Sequence, residues 1–278
     1  MTKQFIPEHL NATPADLAGN HGIGRYIFLP GSDHRAKQIA ERFDNTVVKQ
    51  HERGHNLYLG TISLDNQSID VASVASGMGC PSAEIIVHEL FHLGAKRFLR
   101  VGTAGSLQPD VVKVGDIVNA QASVRDENTT THYAPPEFPA LASLEFTSSI
   151  MLAAERIGLA DHLHTGMAHC KSAFYASEFG AGPRATDNKA YLLLLAEYGV
   201  LASEMETATI FVQSQIYNHV LGLKGTSPDH RVLAGAILSI ISSSENFDRS
   251  EKAATVIQNA ISLAIESVKI LASQECLQ

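Results

Sequence analysis

The segment "GCPSAEIIVHELFHLGAKRFLRVGTAGS", residues 79–106, decides the fold. Residues 81–94 place apolar side chains at helical spacing, and 97–103 form a short run rich in strand formers. That run leaves through Gly102-Thr103-Ala104-Gly105, an exit built of small residues. A helix that feeds a strand is one unit of an α/β fold, and the unit recurs on both sides. Further strands are predicted at 25–30, 46–50, 56–64, 68–76, 116–124, 164–170 and 231–242, and further helices at 33–43, 145–158, 187–198, 204–217 and 249–273. The alternation predicts an α/β fold: one domain over residues 1–278 with a large central mixed β-sheet flanked by helices. No repeat, low-complexity tract or linker interrupts it.

In such folds ligands collect where loops leave the carboxyl ends of strands. Four exits are informative. In "LPGSDHR" (29–35), Gly31 offers a tight turn with free N–H groups and Arg35 a guanidinium at a helix start, an anion cradle. A plain strand-to-helix turn with a surface arginine fits the same residues. "SGMGCPS" (76–82) holds Gly-x-Gly but not the full dinucleotide fingerprint, and no acidic residue follows at the required distance. In "RVGTAGS" (100–106), Arg100 sits among apolar neighbours, which is costly unless it meets an anion or a carboxylate. In "SEMET" (203–207), Glu204 and Glu206 bracket Met205. On one helix, residues two apart do not share a face, and a plain core helix would need neither carboxylate.

Composition narrows the partners. The hydrophobic fraction of 45% and charged fraction of 18% are those of an ordinary globular chain. A net charge of −8 and a pI near 5.9 exclude nucleic acid and anionic membrane as the main partner, and leave room for a local basic pocket. "MTKQFIPEHL" has no secretory apolar core, and runs such as 232–241 are too short to span a bilayer, so a cytoplasmic location is expected. Cys80, Cys170 and Cys276 are far apart, which fits reduced thiols. "HELFH" (88–92) formally matches the zinc signature H-E-x-x-H through His88, Glu89 and His92.

Four stretches carry a resemblance: "LPGSDHRAKQIAERFD", the block from Ser76 to Val118, "SVRDENTTTHYAPPEFPALA" and "SEMETATIF". With them the chain resembles the hexameric type of nucleoside phosphorylase, and "THYAPPEFPA" points to the uridine branch. The resemblance implies phosphorolysis, in which nucleoside and phosphate give free base and ribose 1-phosphate. It implies that Gly31, Arg35, Arg100 and Thr103 bind phosphate, with Arg53 reaching in from a neighbouring subunit. Met205 and Glu206 would hold the ribose, with His9 lent by the neighbour to the 5′-hydroxyl. Phe174, Glu178 and Glu204 would lie along the base and nucleoside. The resemblance implies that Arg100 and Glu206 are the catalytic pair. The partners implied are nucleoside, phosphate and further copies of the chain, at least a dimer and usually a trimer of dimers. Phosphate is a co-substrate, and no metal or organic cofactor is implied. The same resemblance puts His88 and His92 on a scaffold helix, which sets zinc aside.

The departures fall on the base side. The usual Gly-Asp-Pro-x-Arg loop reads Gly31-Ser32-Asp33-His34-Arg35 here. The uridine branch reads its base with Gln and Arg in Phe-x-x-x-Gln-x-Arg, and these positions are Glu178 and Gly180 after Phe174. An ionised Glu178 accepts but cannot donate, and Arg184 is a candidate replacement donor. The purine branch places a proton-donating Asp where Ser242 stands, and the uridine branch an Asn-Arg near Ser239-Ile240. A purine phosphorylase, a nucleoside hydrolase and a non-catalytic nucleoside binder therefore stay open beside the uridine reading.

Overall fold

The protein is described by a computed structural model, in which residues 5–65, 67–220, 231–243, 246–247 and 251–276 are described. Eleven strands share one sheet: β1 (Tyr26–Leu29), β2 (Asp44–Lys49), β3 (Leu57–Leu64), β4 (Gln67–Ser73), β5 (Arg97–Ser106), β6 (Ile117–Asp126), β7 (Ala140–Leu141), β8 (Leu163–Lys171), β9 (Ala202–Glu204), β10 (Leu233–Ser243) and β11 (Asn246–Phe247). The helices are α1 (Pro14–Leu17), α2 (Asp33–Ala40), α3 (Cys80–His92), α4 (Leu144–Arg156), α5 (Tyr175–Glu178), α6 (Ala185–Glu197), α7 (Thr207–Val220) and α8 (Glu251–Cys276).

The sheet is mixed, and part of it closes on itself. β5 pairs in parallel with β10, which pairs antiparallel with β6. β6 and β8 are parallel, β8 and β9 are parallel, and β9 returns antiparallel to β5. Strands β1, β4, β3 and β2 extend from the other side of β5 as a wing. β5 is therefore the seam where ring and wing meet, and it carries Arg100 and Thr103.

Alternation along β5 sorts two cores. Phe98 and Ala104 pack into the layer of α3 and α7, with Val87, Leu90 and Phe211. Leu99 and Val101 pack into the layer of α4 and α8, with Phe146, Ile150, Ile261 and Val268. Helix α8 is long and apolar enough to cross a membrane by length and composition, a feature the apolar runs of the sequence do not reveal. Its apolar stripe is occupied: Val256, Ala260, Leu263, Ala264 and Leu271 are buried in the α4–α8 core. Residues 249 and 250, expected in this helix, lie outside the described residues, as does the side chain of Cys276.

One boundary differs from expectation in a way that matters. Helix α7 begins at Thr207, not 204. Glu204 ends β9 and its carboxylate accepts the backbone N–H groups of Glu206 (2.8 Å) and Thr207 (2.9 Å), together with the Thr207 hydroxyl (2.5 Å). The side chain thus takes donors that the first turn leaves unpaired. Both glutamates stand ahead of the helix, where a spacing of two no longer keeps them apart.

Candidate active site

The strand exits converge on a cavity of about 650 Å³. Gly31, Ser32 and Arg35 come from the β1–α2 turn, Gly77 and Met78 from the β4–α3 turn, and Arg100 and Thr103 from β5. Lys171 ends β8, Phe174 and Glu178 come with α5, Ser203 to Glu206 span the β9–α7 junction, and Ser242 lies on β10. Apart from Arg100, which lies inside β5, the walls are carboxyl ends of strands or the segments that follow them.

Arg100 is the hub. Its Nε donates to Glu204 at 3.0 Å and its Nη2 donates to Glu206. Glu206 also accepts the Gly79 N–H at 2.6 Å at the start of α3. All three side chains are buried. Along β5, Gly102 shares the face of Arg100, and a Cβ there would stand 2.9 Å from the guanidinium carbon. The missing side chain is what lets the guanidinium lie back over the strand. Cys80 and Cys170, ninety residues apart, bring their sulfurs to 3.5 Å behind this cluster as free thiols.

The electrostatics follow from two carboxylates sharing one cation. Burial pushes both carboxyls up. For Glu204, the Arg100 charge and the bonds from Thr207 and Glu206 outweigh burial and hold it below the ordinary value. For Glu206, burial and the neighbouring Glu204 win over Arg100 and leave it raised. Burial pulls the Arg100 guanidinium down, but Glu206 and Glu204 reverse that and keep it charged. Burial and the charge of Arg100 push Arg35 down to about 10, still a cation at neutral pH.

Two donors are left over. Arg100 Nη1 is buried without a hydrogen-bond partner among the described residues. Arg35 donates its backbone N–H to the Ser32 hydroxyl at 3.4 Å, but its guanidinium makes no hydrogen bond or ion pair among those residues. A buried unmet donor costs about 1–3 kcal/mol, more when charged. Two cations with spare donors on one cavity make a site for an oxyanion.

Of the residues expected at the site, Gly31, Arg35, Arg100, Thr103, Phe174, Glu178, Glu204, Met205 and Glu206 are brought together here. His9 and Arg53 are not. His9 gives its backbone N–H and its ring Nδ1 (2.8 Å) to Glu89 on α3, and Arg53 is exposed in the β2–β3 turn. Glu89 of "HELFH" thus faces His9, while His88 meets the Tyr217 hydroxyl at 3.0 Å and stacks near His92. Arg184, the candidate replacement donor to the base, is elsewhere: it is exposed and pairs loosely with Asp187 at 3.5 Å. The cation at Glu178 is Lys171, buried, with Nζ 2.7 Å from Oε1. The strand expected over 164–170 runs one residue further, to Lys171. The signal was available, since a lysine closing an apolar strand is as costly as an arginine inside one.

Comparison with known proteins gives the family. A family model described as the phosphorylase superfamily matches residues 25–263. The chain belongs to the phosphorylase superfamily. Among curated relatives, a uridine phosphorylase of Treponema pallidum is 35% identical over 262 residues, covering 91% of this chain and 92% of that one. A uridine phosphorylase of Thermococcus kodakarensis is 30% identical over 279 aligned positions, covering 98% and 88%. A guanosine phosphorylase of Halorubrum lacusprofundi is 29% identical over 258, covering 93% and 98%. Within this superfamily chain, the conjunction of Arg35, Arg100 and paired carboxylates sits where the strand exits meet.

Proposed function

We propose that this phosphorylase cleaves a nucleoside with inorganic phosphate, uridine or a related pyrimidine nucleoside being favoured, to free base and ribose 1-phosphate. The observation that carries the reading is Nη1 of Arg100 and the guanidinium of Arg35, which have no hydrogen-bond partner among the described residues and lie on the cavity that holds Glu206. Phosphate would sit between these guanidinium groups, the backbone of Gly31 and the Thr103 hydroxyl. Arg53 of a neighbouring subunit would complete the clamp. Glu206, which can accept from vicinal hydroxyls, would hold the ribose with Met205, and a neighbour's His9 would meet the 5′-hydroxyl. Phe174 and Glu178 would face the base.

A phosphate oxygen then forms a bond to C1′ while the C1′–N bond breaks, and its electron pair leaves with the base. Positive charge builds on the sugar in between, where the Glu206 carboxylate stabilises it. Holding phosphate below C1′ turns a bimolecular encounter into an oriented one. The chemistry calls for no metal or organic cofactor. Glu204 has both oxygens engaged, which suits a role in aiming Arg100 rather than in touching the base.

The unit we propose is the whole chain, residues 1–278, acting in the cytoplasm as at least a homodimer and in the larger form a trimer of dimers. Exposed Val47 and Val48 on the outer strand β2, next to the turn of Arg53, support a subunit contact there. The test is base release from uridine with and without phosphate. Release that needs phosphate and yields ribose 1-phosphate is the expected result, and release without phosphate would make the enzyme a hydrolase.

A further inference from the structure

Resting on that reading and deepening it, we infer that Lys171 and Glu178 form a charged donor–acceptor pair that selects bases with a carbonyl beside a ring N–H. This is the lactam or imide edge of uracil, thymine, hypoxanthine and guanine. Cytosine and adenine, which show a ring-nitrogen acceptor beside an amino group, are the bases it rejects.

Lys171 Nζ touches Glu178 Oε1 at 2.7 Å and donates to the Ser203 hydroxyl at 2.9 Å. Its remaining contact, to the Glu204 carbonyl oxygen, is stretched to 3.5 Å, so a ligand carbonyl displaces the weakest of the three. Glu178 Oε1 also accepts the Ser203 hydroxyl at 2.6 Å. Its Oε2 accepts no hydrogen bond from the described residues, and Glu178 lines the cavity together with Phe174. One loosely held N–H and one unused carboxylate oxygen therefore stand side by side. That is the complement of C=O next to N–H.

A purely structural ion pair would tie two buried elements together. Here Lys171 is buried, but Glu178 ends the four-residue helix α5, which contributes no buried residue. The pair is fixed from behind instead. His169, fully buried, places Nδ1 3.0 Å from the Ser203 hydroxyl and Nε2 2.9 Å from Asp126 Oδ2. Lys171 also lies 5.9 Å from the centre of the Phe174 ring, which orders the aromatic wall against the same cation. A ring nitrogen lone pair set against Glu178 would meet a second acceptor with no proton between them. A site built on hydrogen bonds rejects such a mismatch strongly.

The experiment is calorimetric binding of uridine against cytidine, and of inosine against adenosine, without phosphate, to the wild-type protein and to the double variant Lys171→Met/Glu178→Leu, which leaves neither the donor nor the acceptor. The double variant removes both charges together, so neither is left buried alone. We expect the wild type to prefer the lactam member of at least one pair by roughly 30-fold or more. In the variant the ratio should fall below about threefold while phosphate affinity is unchanged. Equal binding within both pairs, no nucleoside binding, or a variant that keeps the wild-type ratio would overturn the inference. Base release is measured separately. Selective binding without phosphate-dependent release would sink the phosphorylase reading and leave the base selection standing.

Discussion

Two arginines three residues apart on β5 show how one strand can carry both structure and chemistry. Arg97 and Arg100 are both buried, and their odd spacing sends them to opposite faces. Arg97 enters the α4–α8 side, where Nε donates to Glu275 at 2.8 Å, Nη2 to the same oxygen at 2.5 Å, and Nη1 to the carbonyl oxygens of Arg231 (2.5 Å) and Lys96 (3.2 Å). Tyr26 donates its hydroxyl to the same carboxylate. Arg100 meets two carboxylates instead of one and still keeps Nη1 unpaired among the described residues. A buried charge that is fully met locks the fold. One that is left partly unmet at a cavity waits for a ligand. Burial alone does not distinguish the two; counting donors does.

The comparison can be broken by exchange of single residues. Replacing Arg100→Met should lower phosphorolysis by about 10³-fold or more, since it removes both the proposed phosphate donor and the cation that organises Glu206. Single-turnover rates at saturating phosphate would read this, and a loss under about tenfold would take Arg100 out of the chemistry.

Glu206→Gln should lower turnover by about 10²-fold. The wild type should also lose activity toward acid at a pH above the usual carboxylate range. The sign follows from the raised Glu206: protonation sets in early and removes the acceptor and negative charge on which the proposed ribose contact rests. A pH–rate profile of the variant should lack that acid limb, and an unchanged limb would assign it to another group. Stability also falls toward acid, through Glu204. Its folded value is depressed, so its contribution is present above the unfolded value and lost as pH falls through the folded one.

Gly102→Ala sharpens the comparison without touching a charge. The new methyl would stand 2.9 Å from the Arg100 guanidinium and force it aside, so phosphate-dependent turnover should fall by about tenfold to 10²-fold. Steady-state kinetics in varied phosphate would show whether the aim of Arg100 matters. Last and smallest in turnover, Arg97→Met should keep activity per folded molecule within about threefold. It should nevertheless cost about 3 kcal/mol in urea unfolding, because Glu275 is left without its cation. An inactive but stable Arg97 variant would reverse the assignment of the two arginines.

Much of this was legible in the sequence. The strand and helix segments were found near their observed limits because the hydrophobic period changes clearly between them, and the block from Ser76 to Val118 carried the family. Arg100 was conspicuous because a strand arginine among apolar residues demands a partner. The carboxylate pair was harder. Read as a helix start, Glu204 and Glu206 cannot cooperate; their convergence on Arg100 depends on the extended β9 end, which only the pairing with β5 and β8 creates. Lys171 was missed and Arg184 considered in its place, because distance along the chain does not tell which cation a ring of strands turns inward. The contact of Cys80 with Cys170 was hidden for the same reason.

The most direct test of the account is calorimetric titration of inorganic phosphate into the wild-type protein, Arg97→Met and Arg100→Met. The account predicts binding to the first two with affinities within about threefold of each other, and a loss of at least about 30-fold in the third. Phosphate binding to Arg100→Met at wild-type strength would contradict it.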